Sequence, residues 1–490
     1  MERIMQQTVT VKGAKGNLIG GQWRPAAGGG VLPVIDPSDG QPFTAIAEGS
    51  HQDVNEAVAA ARQAFDAVWS RTSAVERGRI LTRLSRLIIE HHEELSTLEC
   101  HDTGKPIQQA KNDITACARY FEFYGGATDK VHGETIPFTE GYLALSIREP
   151  FGVTGHIIPW NYPSQVFGRT IGGSLAAGNC CVLKPAEDAC LAPIRLAELA
   201  SEAGLPAGVL NIVTGLGTEA GAALASHPGI SHLSFTGSPE VGTLVTQMAA
   251  SNHVPVTLEL GGKSPQVVFA DADLDQALPM IVNAIIQNAG QTCSAGSRVL
   301  IERSIYDNTM SRLAEVFSRL NTGPGMRGLD CGPLINRKQF ERVTRMVDRA
   351  VADGITVVAK GEVVSDAPSG GYYFPPILVA DVPVEHTVAQ QEAFGPVLAA
   401  FAFETEEDAI RLANNSRYGL VAAVWTRDGG RQLRMARRIA AGQVFINNYG
   451  AGGGVELPFG GMKHSGFGRE KALEGLRSFT QIKTIAIRHG

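Results

Sequence analysis

No run of about 18 consecutive apolar residues occurs in the 490-residue chain, which argues against a membrane-spanning helix. The start, "MERIMQQTVTVKGAKGN", lacks the apolar core and cleavage pattern of a signal peptide. No basic patch interleaved with aromatics is found. The net charge of −6 is spread along the chain, so neither nucleic acid nor an acidic membrane surface is implied as a partner. Seven cysteines, at 100, 117, 180, 181, 190, 293 and 331, lack the paired spacing of a disulfide framework or a zinc site. No metal site is expected, and a reducing, cytoplasmic setting fits best. Internal repeats and low-complexity linkers are absent, and the glycine runs at 26–31 and 451–456 read as local turns. What remains is a chain suited to a small soluble ligand.

The length exceeds what one core usually supports and predicts two or three domains. Helices are expected near 53–68 and 74–98. In the first, Val54, Ala57, Ala61, Phe65 and Val68 repeat at helical spacing; in the second, Ser73 and Glu76 form a capping box ahead of Ile80, Leu84, Leu87 and Ile88. After residue 150, the short apolar runs "VTGHII", "CCVLK", "VLNIV", "ISHLSF" and "VPVTLEL" alternate with helical stretches near 165–177, 190–203, 217–226 and 239–250. That alternation predicts βαβ units and a parallel sheet with ligands at the carboxyl ends of its strands. A second α/β series begins near "SPQVVFADADLDQA" at 264–277 and runs to about 465.

The motifs leave some choices open. "TGLGTEAG" at 214–221 spaces its glycines one residue off the dinucleotide fingerprint, and reads equally as a tight strand-to-helix turn. "FTGSPEVG" at 235–242 is a Gly-rich turn into a helix, where free N–H groups could meet phosphate. "NAGQTCSAG" at 288–296 sets Cys293 among small residues, either as inert packing or as a nucleophile. Asn161 could satisfy a turn or donate to an oxyanion, and Glu259 could end a strand in solvent or act as a base.

Seven motifs decide among these. "PWNYP" (159–163), "KPAE" (184–187), "FTGS" (235–238), "LELGGKSP" (258–265), "GQTCSAGSR" (290–298), "EAFGPV" (392–397) and "PFGGMKHSGFGRE" (458–470) follow the order seen in the NAD(P)-dependent aldehyde dehydrogenase superfamily, which the chain resembles over nearly its whole length. The resemblance implies an α/β fold with a parallel-sheet NAD-binding domain (1–127 and 151–260), an α/β catalytic domain (261–466) and a β-strand oligomerisation arm (128–150 and 467–490). It implies Cys293 as nucleophile, Glu259 as base and Asn161 as oxyanion donor. The presence of Glu259 favours hydrolysis over acyl transfer to coenzyme A; an inactive binding homologue is the alternative outside catalysis.

For the cofactor, the resemblance implies contacts from Ile157, Trp160, Lys184, Glu187, Gly217, Gly237, Ser238, Leu260, Glu392 and Phe394. A carboxylate at Glu187 favours NAD over NADP. Lys263 and Lys463 read as structural or surface charges. For the aldehyde, Tyr162, Val166 and Arg169 fall on one face of the helix after "WNYP", and with Gln287 and Phe459 they are expected along the tunnel. Arg169 replaces an aromatic residue common in relatives. It is read either as recognising an anionic far end of the substrate, as in a semialdehyde acid, or as pairing with an internal acid. The glycine-rich loop 447–460 suggests a roomy mouth, and a homotetramer is expected, with a dimer as second choice.

Overall fold

The computed structural model describes residues 15–450 and 454–490. The amino-terminal stretch read for a signal peptide, apart from its last residues, and positions 451–453 of the expected mouth lie outside the described residues. Among those described, one sheet runs in spatial order Gln22–Arg24, Asn17–Ile19, Leu210–Ile212, Cys180–Pro185, Val153–Ile158, His232–Thr236, Val256–Glu259 and Gly466–Phe467. Its inner strands, from Leu210–Ile212 to Val256–Glu259, pair in parallel. These are the apolar runs of the sequence, nearly all buried because helices cover both faces. In chain order the inner strands lie third, second, first, fourth, fifth. The winding therefore reverses between Val153–Ile158 and His232–Thr236, and a crevice opens beyond their carboxyl ends. "PWNYP" leaves one of those ends and "GSPE" the other.

A second sheet runs Thr356–Lys360, Ile377–Ala380, Val397–Phe403, Arg298–Glu302, Pro265–Val268, Val421–Trp425 and Gln443–Ile446, parallel except at its first strand. The loop carrying Cys293 joins the helix Leu274–Ile286 to the central strand Arg298–Glu302. A third, antiparallel sheet pairs Thr480–Arg488 with Tyr142–Pro150 and the latter with Glu134–Ile136. The two segments read as a bridging arm are thus neighbours.

Two expectations need adjustment. The helix expected over 74–98 is two, Ala74–Glu90 and His92–Thr103, because His91 leaves helical geometry at φ −98°, ψ 21°. The Ser73–Glu76 capping box is present as expected. The stretch 217–226 begins as a wide turn, Gly217–Gly221, before the short helix Ala222–Ala225. Gly215 in "TGLG" sits at φ 133°, and a Cβ there would stand 2.7 Å from the Gly49 carbonyl oxygen. It serves the turn and its packing.

Candidate active site

A cavity of about 1480 Å³ fills the crevice, and Asn161, Glu259 and Cys293 all line it. Asn161 follows the strand Val153–Ile158 and is held from both ends. Its backbone carbonyl accepts from Lys105 Nζ (2.9 Å) and Asn288 Nδ2 (3.0 Å), while its own Nδ2 donates to the Gln291 carbonyl (3.0 Å). An amide nitrogen carries two hydrogens, so one remains for a further acceptor. Lys105 is itself buried and bridges Glu99 (2.7 Å) and Asp113 (2.6 Å). The sequence reading did not single out Lys105, since an isolated lysine in "TGKP" carries no visible sign of what it will meet.

Glu259 ends the strand Val256–Glu259 and is buried, with no hydrogen-bond partner for either carboxylate oxygen among the described residues. Burial pushes its carboxyl well above the usual range, the neighbouring Glu470 adds to this, and Arg169 opposes it. The two glycines that follow are required by close approach. A Cβ on Gly262 would lie 2.3 Å from the Cys293 carbonyl oxygen, and one on Gly261 would lie 2.3 Å from Glu392 Oε2. The "LELGG" segment thus brings the glutamate's strand end directly against the cysteine's loop.

Cys293 sits in a turn closed by the Ala295 N–H donating to the Thr292 carbonyl at 3.0 Å. It is the one cysteine of the seven that is not fully buried. Its side chain packs beside Leu420, Val421 and Phe459. Burial pushes the thiol up to about 12, with Arg169 pulling it down and Glu392 and Glu259 pushing it further. The other six are buried, their thiols held up chiefly by desolvation, as inert packing requires.

The residues read for the cofactor fall into two groups. Trp160, Gly237, Ser238, Glu392 and Phe394 line the cavity. Trp160 meets Phe394 edge-on at 5.3 Å, and Phe394 holds a left-handed φ of 53° while its carbonyl accepts from Gln339 Nε2 at 2.6 Å. Glu392 accepts from the Gly262 N–H at 2.9 Å. Ser238 caps the helix Pro239–Ala250, whose amino end faces the crevice. Lys184, Glu187 and Gly217 gather at the ends of the next strands: Lys184 donates to Glu187 at 2.7 Å, and the Gly217 N–H also holds the Glu187 carboxylate. Burial, the largest influence, would raise that carboxyl, but Lys184 and the Glu187 and Gly217 N–H groups together hold it below the usual range. Ile157 and Leu260 sit in strand and loop packing beside the cavity, outside its lining. Lys463 is exposed and donates to the Asn414 and Ser416 carbonyls, a structural role. Lys263 is different: it is buried without a hydrogen-bond partner among the described residues, and burial lowers it to about 7.

The sequence profile of the aldehyde dehydrogenase family matches residues 23–485. The chain belongs to that family. It is 41% identical over 488 residues, 99% of this chain and 90% of the relative, to aldehyde dehydrogenase family 2 member B4, mitochondrial, of Arabidopsis thaliana. It is 40% identical to a hydroxyisobutyraldehyde dehydrogenase of Mycolicibacterium austroafricanum, over 96% of this chain and 93% of that one. Among solved structures it is similar to betaine aldehyde dehydrogenase from Staphylococcus aureus in complex with NAD+, at 34% identity and a TM-score of 0.95, over 98% of this chain and 96% of that one. The protein is an oxidoreductase acting on aldehydes, with the aldehyde dehydrogenase fold.

Of the residues read for the aldehyde, Tyr162, Val166, Arg169, Gln287 and Phe459 all line the dehydrogenase cavity. Tyr162 Oη accepts from Gln287 Nε2 (2.9 Å) and from Gln109 Nε2 (3.1 Å), so the polar Gln287 positions a tyrosine. Gln109 was not legible as a site residue. Arg169 corrects the anion-recognition reading. Its guanidinium forms a buried ion pair with Glu470, donates to Thr236 Oγ1 at 3.3 Å and lies 5.3 Å from the Phe459 ring centroid. Glu470 also accepts from Ser234 Oγ at 2.9 Å. The charge is met inside the protein, because helical spacing fixes a side chain's face and says nothing of the partner waiting there. Arg169→Met is expected to leave the Glu470 carboxylate buried and uncompensated, at a cost of about 3–5 kcal/mol. Urea unfolding checks this, and an unchanged midpoint would show the pair to be dispensable.

Proposed function

We propose that the enzyme oxidises its aldehyde to a free carboxylic acid with NAD, through a covalent adduct on Cys293. The observation that carries this reading is the convergence, on one cavity, of an incompletely buried thiol, a buried carboxyl without a hydrogen-bond partner and a held side-chain amide. The Cys293 sulfur, having lost its proton, attacks the carbonyl carbon and forms a C–S bond. The Asn161 amide and the Cys293 N–H donate to the resulting oxyanion; placed donors of this kind are worth roughly 3–4 kcal/mol. When bound, NAD supplies the acceptor for the hydride that this carbon releases. Glu259 then takes a proton from water, whose oxygen attacks the thioester carbon; the C–S bond breaks, and the leaving Cys293 thiolate takes up the proton that Glu259 holds, which restores both groups.

The residues present fit a dinucleotide. A helix amino end capped by Ser238 suits a pyrophosphate, and Trp160, Phe394 and Glu392 suit a nicotinamide riboside. Glu187, kept ionised by Lys184, would repel a 2′-phosphate, which favours NAD over NADP. Residues 1–127 and 151–260 would form the cofactor domain, 261–466 the catalytic domain, and 128–150 with 467–490 the arm. The test is NADH absorbance with a panel of aldehydes, run in parallel with NADP. No turnover with any aldehyde overturns the reading.

The arm supports assembly. Thr480–Arg488 and Tyr142–Pro150 present Ile482, Ile487, Leu143 and Tyr142 to solvent, an apolar surface that a second subunit would cover. A homotetramer is expected by light scattering at micromolar concentration, with a dimer as second choice; a monomer would refute it.

A further inference from the structure

Three separate segments meet at one buried ammonium. Lys105 lies in the connection between the helices His92–Thr103 and Ile107–Ala127, and the three hydrogens of its ammonium have three acceptors: Glu99 Oε1 (2.7 Å), Asp113 Oδ2 (2.6 Å) and the Asn161 carbonyl (2.9 Å). Both carboxylates then reach back to the turn that follows Asn161. Glu99 Oε2 accepts from Ser164 Oγ, and Asp113 Oδ1 accepts from Gln165 Nε2 at 2.7 Å. The ammonium also lies 4.6 Å from the Tyr162 ring centroid. Residues 161, 162, 164 and 165 are thus gripped by one cation, directly or through a single carboxylate. Ser164 and Gln165 open the helix Pro163–Ala177, so Asn161 cannot shift against that helix without breaking a buried, charge-assisted hydrogen bond.

Stability alone does not explain this cluster. Burial, the largest influence on Lys105, disfavours its charge, while Asp113 and Glu99 outweigh it and hold the ammonium above its ordinary range. Buried ion clusters of this kind are often no more stabilising than apolar side chains of similar volume. Two carboxyls face the one ammonium, so the cluster offers a developing oxyanion no net positive charge either. What it does supply is position. Asn161 Nδ2 spends one hydrogen on the Gln291 carbonyl (3.0 Å), so the direction of the other follows from where the backbone at 161 is held.

We infer that Lys105 is a positioning residue for catalysis, fixing the 161–165 segment so that the remaining Asn161 amide hydrogen is aimed at the oxyanion formed from the aldehyde oxygen. This rests on the reading of Cys293 as nucleophile and Asn161 as oxyanion donor. Misplacing such a group by about 1 Å costs up to about a hundredfold in rate.

The test is a double-mutant cycle read by stopped-flow NADH absorbance in the first turnover, with propanal, benzaldehyde and succinic semialdehyde as probes and the fastest carried through. Lys105→Met should slow the first turnover by about ten- to a hundredfold, and Asn161→Ala by about a hundred- to a thousandfold, with NAD affinity within about twofold of the parent's in both. The double variant should fall within about threefold of Asn161→Ala alone, since the lysine then has nothing left to aim. Lys105→Met strands two buried carboxylates, so a companion, Lys105→Met with Glu99→Gln and Asp113→Asn, removes all three charges at little change in size. The companion should melt above the single variant and yet stay at least about tenfold slow. A merely structural lysine would instead recover its rate along with its melting temperature. Losses that multiply in the double variant, a companion within about threefold of the parent, or failure of both proteins carrying Lys105→Met to fold overturns the inference. No NADH from any of the three aldehydes overturns the oxidation reading and this one with it. An active parent with an Asn161→Ala variant within about threefold of it overturns the oxyanion role of Asn161 and this inference, and leaves oxidation at Cys293 standing.

Discussion

Cys293→Ala is expected to lower aldehyde oxidation by about a thousandfold or more while leaving NAD affinity within about twofold. The loss is large because the substitution removes the only protein atom proposed to bond the substrate carbon. The side chain it removes is small and packs beside Leu420, Val421 and Phe459, so the turn closed by Ala295 should persist. The groups proposed to hold NAD lie on other segments, at 160, 184–187, 217, 237–238 and 392–394. Steady-state NADH formation reads the first effect, and fluorescence titration with NAD reads the second. A variant retaining more than about a tenth of the parent's turnover would sink the assignment. The thiol also sets a pH expectation. Burial raises it to about 12, so at neutral pH the resting group is protonated. The thiolate fraction grows as pH rises, and the first-turnover rate should climb between about pH 7 and 9.

The parallel sheet was legible because strands buried on both faces must be continuous apolar runs, and "VTGHII", "CCVLK" and "ISHLSF" are such runs. The Ser73–Glu76 box was legible because its two hydrogen bonds are local. The break at His91 was not, since neither glycine nor proline marks it. Cys293, Glu259 and Asn161 stood out through motifs, and the structure supplies the reason for the spacing: Gly261 and Gly262 leave room for Glu392 and for the cysteine's carbonyl. Arg169 was legible as to face and open as to partner, because Glu470 lies on a distant segment that only the fold brings near. Lys105 escaped for the same reason: a buried three-way charge cluster leaves no periodic trace in a sequence.

Glu259→Gln is expected to yield a burst of NADH close to one equivalent per active site, followed by a steady state about a hundred- to ten-thousandfold slower than the parent's. The amide matches the carboxylate in size, which matters here because a Cβ on the adjoining Gly460 would already stand 2.9 Å from Glu259 Oε1. The variant should therefore fold, bind and form the thioester. It cannot take a proton from water, so hydrolysis stalls. Burial, reinforced by Glu470, places the carboxyl's ionisation well above its usual range, and only the ionised form is a base. In the parent, thioester hydrolysis should accordingly rise with pH as Glu259 ionises, and in the variant that rise should vanish from the slow phase. Stopped-flow absorbance across pH separates the two phases. A missing burst would place Glu259 before hydride release, as the group that deprotonates Cys293, and an undiminished steady state would remove it from the chemistry altogether.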